Sequence, residues 1–317
     1  MKELKNVVTV TGELVKNNIE EFQTKKGEDA IGGSLVLRTS DGSEHEINLF
    51  AYKFKKDENK NFTSEESYFY KQYSDAKENL KDIEHCSEGE RPAIVSITDG
   101  SFRVNDFKGN DGRVVSTNRI SARFINKIEP KDYDSTVLES KFEVEGVVES
   151  IKDEIIKDVP TGNLVVNMMG IGQTAVGFGK DAVYTADHLI PIKMTVDKSM
   201  AAPFRSAGYY DGCYTKFVGT VINSVETEEQ IEKVAFGDDI KHLVKTYVRK
   251  NEIKSGTMPT TIFEHELTQE IVDALRAKRK ATIAEVASGQ SRQEELPFKP
   301  DTSTPAPQTT YNPFAQR

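Results

Sequence analysis

Glu44-His45-Glu46-Ile47-Asn48-Leu49-Phe50-Ala51-Tyr52-Lys53-Phe54-Lys55-Lys56 alternates along its whole length. Successive side chains of an extended chain point to opposite sides, so Ile47, Leu49 and Ala51 share one face and Phe50, Tyr52 and Phe54 the other. The first face is apolar enough to line a core. The second interleaves rings with lysines, so it either meets a ligand or is covered by packing or a subunit interface. The neighbouring segments extend the pattern. Asp41-Gly42 is a hairpin signal, and before it Ala30–Arg38 carries Ile31, Leu35, Val36 and Leu37. Val8, Val10 and the turn at Gly12 open another alternating stretch. Residues 64–84 contain neither Gly nor Pro and predict a helix, with the Ser64 hydroxyl as its cap. Ala93–Val104 and Arg119–Ile128 predict two further strands. The order β-β-β-α-β-β is that of a five-stranded OB barrel, whose helix lies between strands three and four.

The order then repeats. Phe142-Glu-Val-Glu-Gly146-Val-Val-Glu-Ser-Ile resembles Val8-Thr-Val-Thr-Gly12-Glu-Leu-Val-Lys-Asn. Asn163–Gly170 and Val183–Val196 match strands two and three, Ser199–Tyr209 a short helix, and Tyr214–Val225 and Lys245–Lys254 strands four and five. The expected fold is mainly β: two tandem OB-type five-stranded barrels over residues 1–130 and 138–257, a helical segment over 258–288 and a disordered tail over 289–317. A single irregular β-sandwich is the competing architecture. In the helical segment Ile262, Leu267, Ile271, Leu275, Ile283 and Val286 recur at helical spacing, and Arg276, Lys278, Arg279 and Lys280 form a basic patch. The tail is rich in Gln, Ser, Thr and Pro and cannot bury enough apolar surface to order itself.

Composition narrows the function. Among 317 residues, 51 are acidic and 42 basic, a net charge of −9 that argues against coating nucleic acid by charge alone. Local basic stripes remain open. Cys86 and Cys213 stand 127 positions apart, which fits neither a metal motif nor a disulfide framework. No apolar run reaches membrane-spanning length, and Met-Lys-Glu-Leu-Lys-Asn at the start lacks a signal core, so a cytoplasmic protein is expected. Gly170-Ile-Gly172-Gln-Thr-Ala-Val-Gly177-Phe-Gly179-Lys180-Asp resembles a phosphate loop only superficially, because Asp follows Lys where Ser or Thr should bind Mg²⁺. His85 and Cys86 have no partner at ligand spacing. The expectation is a non-enzyme with no catalytic residues, no metal and no cofactor.

Binding signals are better developed. Rings on an open strand face stack on unpaired bases, and adjacent cations meet phosphates. Phe50, Tyr52, Phe54, Lys53 and Lys55 form one such set. Phe102, Arg103, Phe107, Lys108 and Arg113 repeat the chemistry on the next hairpin. Lys25 and Lys26 fall in the loop between strands one and two, which rims an OB groove. Residues 1–130 hold 20 basic and 23 acidic side chains against 15 and 20 for 131–257, so the first module is the less acidic.

With these residues in view, the first module resembles the bacterial and phage single-stranded DNA-binding protein family over about residues 6–128. Asn6-Val-Val-Thr-Val-Thr-Gly12-Glu-Leu14 is similar to the family's Asn-x-Val-x-Leu-x-Gly-x-Leu opening strand. Gly27-Glu-Asp-Ala30-Ile31 falls on its second strand, Glu44–Ala51 on its Trp-His-x-Val-Val-x-Phe-Gly third strand, and Gly89-Glu-Arg-Pro-Ala-Ile-Val95 on its fourth. The family's Trp is Glu44 here and the chain has no Trp at all. The resemblance places Phe50 at a base-stacking position. It also implies partner recruitment by an acidic tail ending in Pro-Phe, but Glu294-Glu-Leu-Pro-Phe298 lies 19 residues from the last residue.

The expected function is sequence-independent binding of single-stranded DNA in phage or plasmid replication and recombination, as a monomer or homo-oligomer. The tail, through Glu294, Glu295, Leu296 and Phe298, would contact replication or recombination proteins. The alternative is an OB-fold adaptor that binds other proteins through its second module and basic helix.

Overall fold

The computed structural model describes every residue except 1, 58, 60, 177–181, 233–235, 237–239, 262–266 and 290–317. The expected tail and the end of the glycine-rich stretch therefore lie outside the described residues, as does Ile262.

Five strands close a ring in the first half. They are β1 (Asn6–Asn17), β3 (Asp29–Arg38), β4 (Glu44–Tyr52), β8 (Val114–Ser121) and β7 (Ile94–Lys108), which returns to β1; the short β2 (Glu20–Gln23) pairs on β3. Only the β4–β8 contact in this ring is parallel. β5 (Phe54–Lys56) and β6 (Phe62–Glu66) make a small separate hairpin, α1 (Tyr68–Asn79) follows, and β9 (Asn126–Lys127) pairs on β7. The second half repeats the ring with β10 (Ser140–Ile156), β11 (Val159–Val176), β12 (Val183–Val196), β14 (Ile240–Gly256) and β13 (Tyr214–Glu232), again with one parallel contact, β12–β14. Here α2 (Lys198–Ser206) sits between the third and fourth strands. The chain is mainly β, two tandem OB-type barrels followed by α3 (Gln269–Ser288).

Sequence alternation explains both cores. Val8, Val10, Leu14, Ile47, Leu49 and Ala51 point into the first barrel, and Phe142, Val144, Val148, Leu164, Val166 and Met168 into the second. The repeated glycine of the two opening strands has one physical reason. A Cβ on Gly12 would stand 2.7 Å from the Arg38 carbonyl oxygen, and one on Gly146 would stand 2.1 Å from that of Met169. In each barrel the first strand presses against the second at this point, and only glycine allows the approach. At the β10–β11 turn, Lys157 and Asp158 both take positive φ, 50° and 62°, the conformation of a two-residue hairpin loop.

The helix expected over 64–84 is shorter. Its first residues form β6, the cap position is Ser67 rather than Ser64, and residues 83–85 form a single 3₁₀ turn. The ring of Phe62 explains the change, since it lies 5.2 Å from that of Tyr52 and draws the segment onto the strand face. α1 closes the barrel with Tyr70, Tyr73 and Ala76 buried.

The barrels are joined at several levels. β1 pairs antiparallel with β10, from Asn6 opposite Val144 to Val10 opposite Ser140. The Phe102 and Phe142 rings meet across the junction at 6.1 Å. The Asn118 side chain donates to the Pro191 carbonyl at 3.0 Å. α3 is capped by the Thr268 hydroxyl, which accepts from the Ile271 N–H at 3.3 Å, and ends at Gly289 in the left-handed region. No helix among the described residues is long and apolar enough to cross a membrane.

Candidate nucleic-acid interface

The outer face of β3–β4 carries a row of rings. Alternation turns Phe50 and Tyr52 outward while Leu49 and Ala51 are buried. The Phe50 ring lies 6.2 Å from Phe22 of β2 and 4.9 Å from Tyr52, which in turn meets Phe62. The Lys56 ammonium sits 4.2 Å from the Tyr52 ring centroid and 4.4 Å from that of Phe62. Phe22, Phe62 and Lys56 were not among the expected site residues. Phe22 and Phe62 lie in short polar segments with no periodicity, and they join the row only through the pairing of β2 with β3 and the β5–β6 hairpin.

The chain bends at Lys53, so Phe54 starts β5 and does not continue the alternation of Phe50 and Tyr52. The Lys53 ammonium lies 5.9 Å from the Phe54 ring and 5.8 Å from that of Tyr70. Burial and the hydrogen bond to Glu21 push the Tyr70 phenol up to about 12, so it stays neutral and donates to the carboxylate at 3.0 Å. Lys55 forms an ion pair with Glu65 on the small hairpin. Lys25 and Lys26 are exposed in the β2–β3 turn, closed by the Thr24 N–H to the Glu28 carbonyl at 2.9 Å. This turn follows β2 and is separate from the β1–β2 connection at Asn18.

The β7–β8 hairpin extends beyond the barrel and its two sides differ. Phe102 is a correction to the expected site. It is 2% exposed, faces the core and touches Phe142, so its ring is not available to a base. Lys108 is a second correction. Its ammonium donates to the Ala287 carbonyl of α3 at 3.0 Å, on the side of the hairpin opposite Arg103. The other side carries Arg103, directly across the ladder from Arg119, with Phe107 opposite Val115 further out. Arg103, Arg119 and Arg123 form no ion pair among the described residues. Arg113 is at the exposed hairpin tip, 3.9 Å from Asp111. Between Phe50 on β4 and Arg103 on β7 lies an open groove of about 400 Å³, floored by Asn48, Ser101 and Ser121.

Among the described residues, the second barrel offers no equivalent row of rings. Val147, Ile171, Leu189 and Tyr214 form an outer apolar patch that is separate from the barrel core, and Leu267, Val272 and Leu275 cover it. Three of the four basic residues of the α3 patch, Arg276, Lys278 and Arg279, are engaged within the chain, and Lys280 is exposed. Arg279 pairs with Asp106, its Nη2 2.6 Å from Oδ1 and 2.9 Å from the Ser116 hydroxyl. Burial alone would raise the Asp106 carboxyl, but the Arg279 and Ser116 hydrogen bonds outweigh it and hold the group below the usual carboxylate range. Lys278 donates to the Asp187 carbonyl at 2.6 Å and Arg276 lies 3.6 Å from Glu149. His85, considered beside Cys86, pairs with Asp82 at 2.6 Å.

Two solved structures similar to this chain are of the single-stranded DNA binding protein from Thermus aquaticus. The wild type has 11% identity and a TM-score of 0.43, with 82% of this chain and 95% of that chain covered. A deletion mutant has 13% identity and a TM-score of 0.44, with 85% and 100% covered. A replication protein A heterotrimer bound to single-stranded DNA has 12% identity and a TM-score of 0.22, with 88% and 53% covered. No curated protein matches. One family model, YorF, runs from residue 5 to residue 289, through both barrels and on to the end of α3, and the chain belongs to the YorF family.

Proposed function

We propose that the protein binds single-stranded DNA, without sequence choice and without catalysis, on the outer face of the first barrel. The observation that carries this reading is a row of outward rings, Phe22, Phe50, Tyr52 and Phe62, beside Arg103, Arg119 and Arg123, which form no ion pair among the described residues, in a chain of net charge −9. Rings alone would suit any apolar partner. Guanidinium groups that form no ion pair among the described residues suit a polyanion, and rings plus guanidinium groups suit one with unpaired bases. The protein-adaptor reading is weaker, because Arg276, Lys278 and Arg279 of α3 are engaged inside the chain. The biological setting that fits is replication or recombination, including that of a phage or plasmid, with the segment after residue 289 recruiting partner proteins.

The test is a titration with oligo-dT across a salt series, with ultraviolet cross-linking of the complex. Binding that weakens as salt rises, with cross-links in peptides holding Phe50, Tyr52 or Phe62, supports the reading. Failure to bind at low salt overturns it, as do cross-links confined to the second barrel.

A further inference from the structure

We propose that the groove between Phe50 and Phe124 is a pocket for one nucleotide of the bound strand, its base held against the two rings and its phosphate at Arg103 and Arg123. This rests on the single-stranded DNA reading and adds a place where the strand is gripped. Phe124 and Arg123 come just after β8, in the stretch Arg119–Ile128 expected as one strand, and neither was among the expected site residues. Both line the groove with Phe50 and Arg103, and Phe124 is 42% exposed.

An exposed ring and an exposed guanidinium on a loose loop would be unremarkable. This segment is held at several points. The Ala122 N–H donates to the Asn48 carbonyl at 3.1 Å. The Asp99 carboxylate accepts both following amides, Arg123 N–H at 3.1 Å and Phe124 N–H at 3.2 Å. The hydroxyl of buried Tyr73, on α1, donates to the Arg123 carbonyl at 2.8 Å, and the Gln72 amide donates to that of Ile125 at 3.1 Å. The Phe124 ring rests on Phe69 at 5.2 Å. Backbone bonds thus fix the segment while its two largest side chains remain at the surface. Such ordering in advance is what reduces the entropic cost of binding.

The chemistry of the lining matches a nucleotide. The groove of about 400 Å³ falls in the lower part of the range of small-molecule sites, roughly 300–1,000 Å³. Two aromatic walls favour a flat π surface. Asn48, Ser101 and Ser121 add neutral polar side chains to the lining; the Asn48 amide donates to the Ile120 carbonyl at 3.2 Å and the Ser101 hydroxyl to that of Ser121 at 3.5 Å, which leaves acceptor oxygens that suit base edges of any identity. Asp99 is the one carboxylate in the lining, and both its oxygens already accept backbone amides.

The experiment measures full-length protein on fluorescent oligo-dT and on an oligomer of the same length made of abasic residues. F124L keeps an apolar contact with Phe69 but removes the π face. It should weaken oligo-dT binding roughly fivefold to a hundredfold, the usual range for a lost stacking ring. F124Y should restore binding. R123A should lower the log–log salt slope by about 0.7, the value of one single-strand phosphate contact. The abasic oligomer should bind more weakly than oligo-dT to the wild type and be insensitive to F124L. If F124L and R123A match the wild type in affinity and slope while oligo-dT still binds, the pocket is wrong and the wider reading stands. If the wild type does not bind oligo-dT, the wider reading fails first. Thermal melts of each variant separate lost binding from lost folding.

Discussion

Arg103 on β7 lies directly opposite Arg119 on β8, and no carboxylate pairs with either guanidinium among the described residues. Like charges facing across a ladder destabilise a sheet, typically by a few tenths to about 1 kcal/mol. R119S should therefore stabilise the protein by a few tenths of a kcal/mol while lowering the salt slope of oligo-dT binding by about 0.7. Denaturant melts and salt titrations of the same variant decide it. A loss of stability together with an unchanged slope would show that the pair serves the fold instead.

Phe50 carries the centre of the ring row. F50A should reduce oligo-dT affinity by about 1–3 kcal/mol, the worth of one stacked base. Because Phe50 also touches Phe22 and Tyr52, stability should fall as well, by about 1 kcal/mol. Fluorescence anisotropy at a temperature well below the melting point of the variant keeps the two effects apart.

The Asp106–Arg279 pair ties α3 to the β7–β8 hairpin, with side chains 9% and 12% exposed. D106A leaves a buried guanidinium without its partner and should cost about 3–5 kcal/mol of stability. Replacing both residues with apolar ones, D106L with R279M, should recover much of that loss. A double-mutant cycle in urea measures it, and equal losses from the single and double variants would contradict the account.

His45 is 2% exposed between Thr39 and Ser43, and burial pulls its imidazole down to about 4 although the Asp41 charge opposes the shift. The sign follows directly. Between pH ~6.5 and ~4 the unfolded chain takes up a proton that the folded chain refuses, so stability falls as pH drops through that window and then levels. The full effect is roughly 3 kcal/mol. Urea melts at pH 7, 5.5 and 4 should show the decline, and H45Q should flatten it.

Much of the barrel was legible because its signals are local. Val8, Val10 and Gly12 recur as Phe142, Val144 and Gly146 in the second copy, and the reason for the glycine is the same in both. The inward face of β4 followed from alternation alone. Two site residues were misread for the opposite reason. Phe102 looks like Phe50 in sequence, with a ring beside a cation, but its parity on β7 turns it into the core, and parity depends on the ladder register. Lys108 stands among rings and cations on the hairpin but bonds to α3, whose approach no local pattern announces.

What the sequence determined by itself was the order of strands, the faces of β4 and the apolar stripe of α3, since each depends on residues within a few positions of one another. Only the tertiary structure decided which rings form one row, because Phe22, Phe50 and Phe62 meet through pairings between separate segments. It also decided that an outer apolar patch of the second barrel is covered by α3, that Arg103 faces Arg119 across the ladder, and that Arg103 and Arg123 share a groove whose carboxylate, Asp99, is taken up by backbone amides. Those facts depend on contacts between residues far apart in the chain. Their energies come from burial and charge at a shared surface, which local periodicity does not encode.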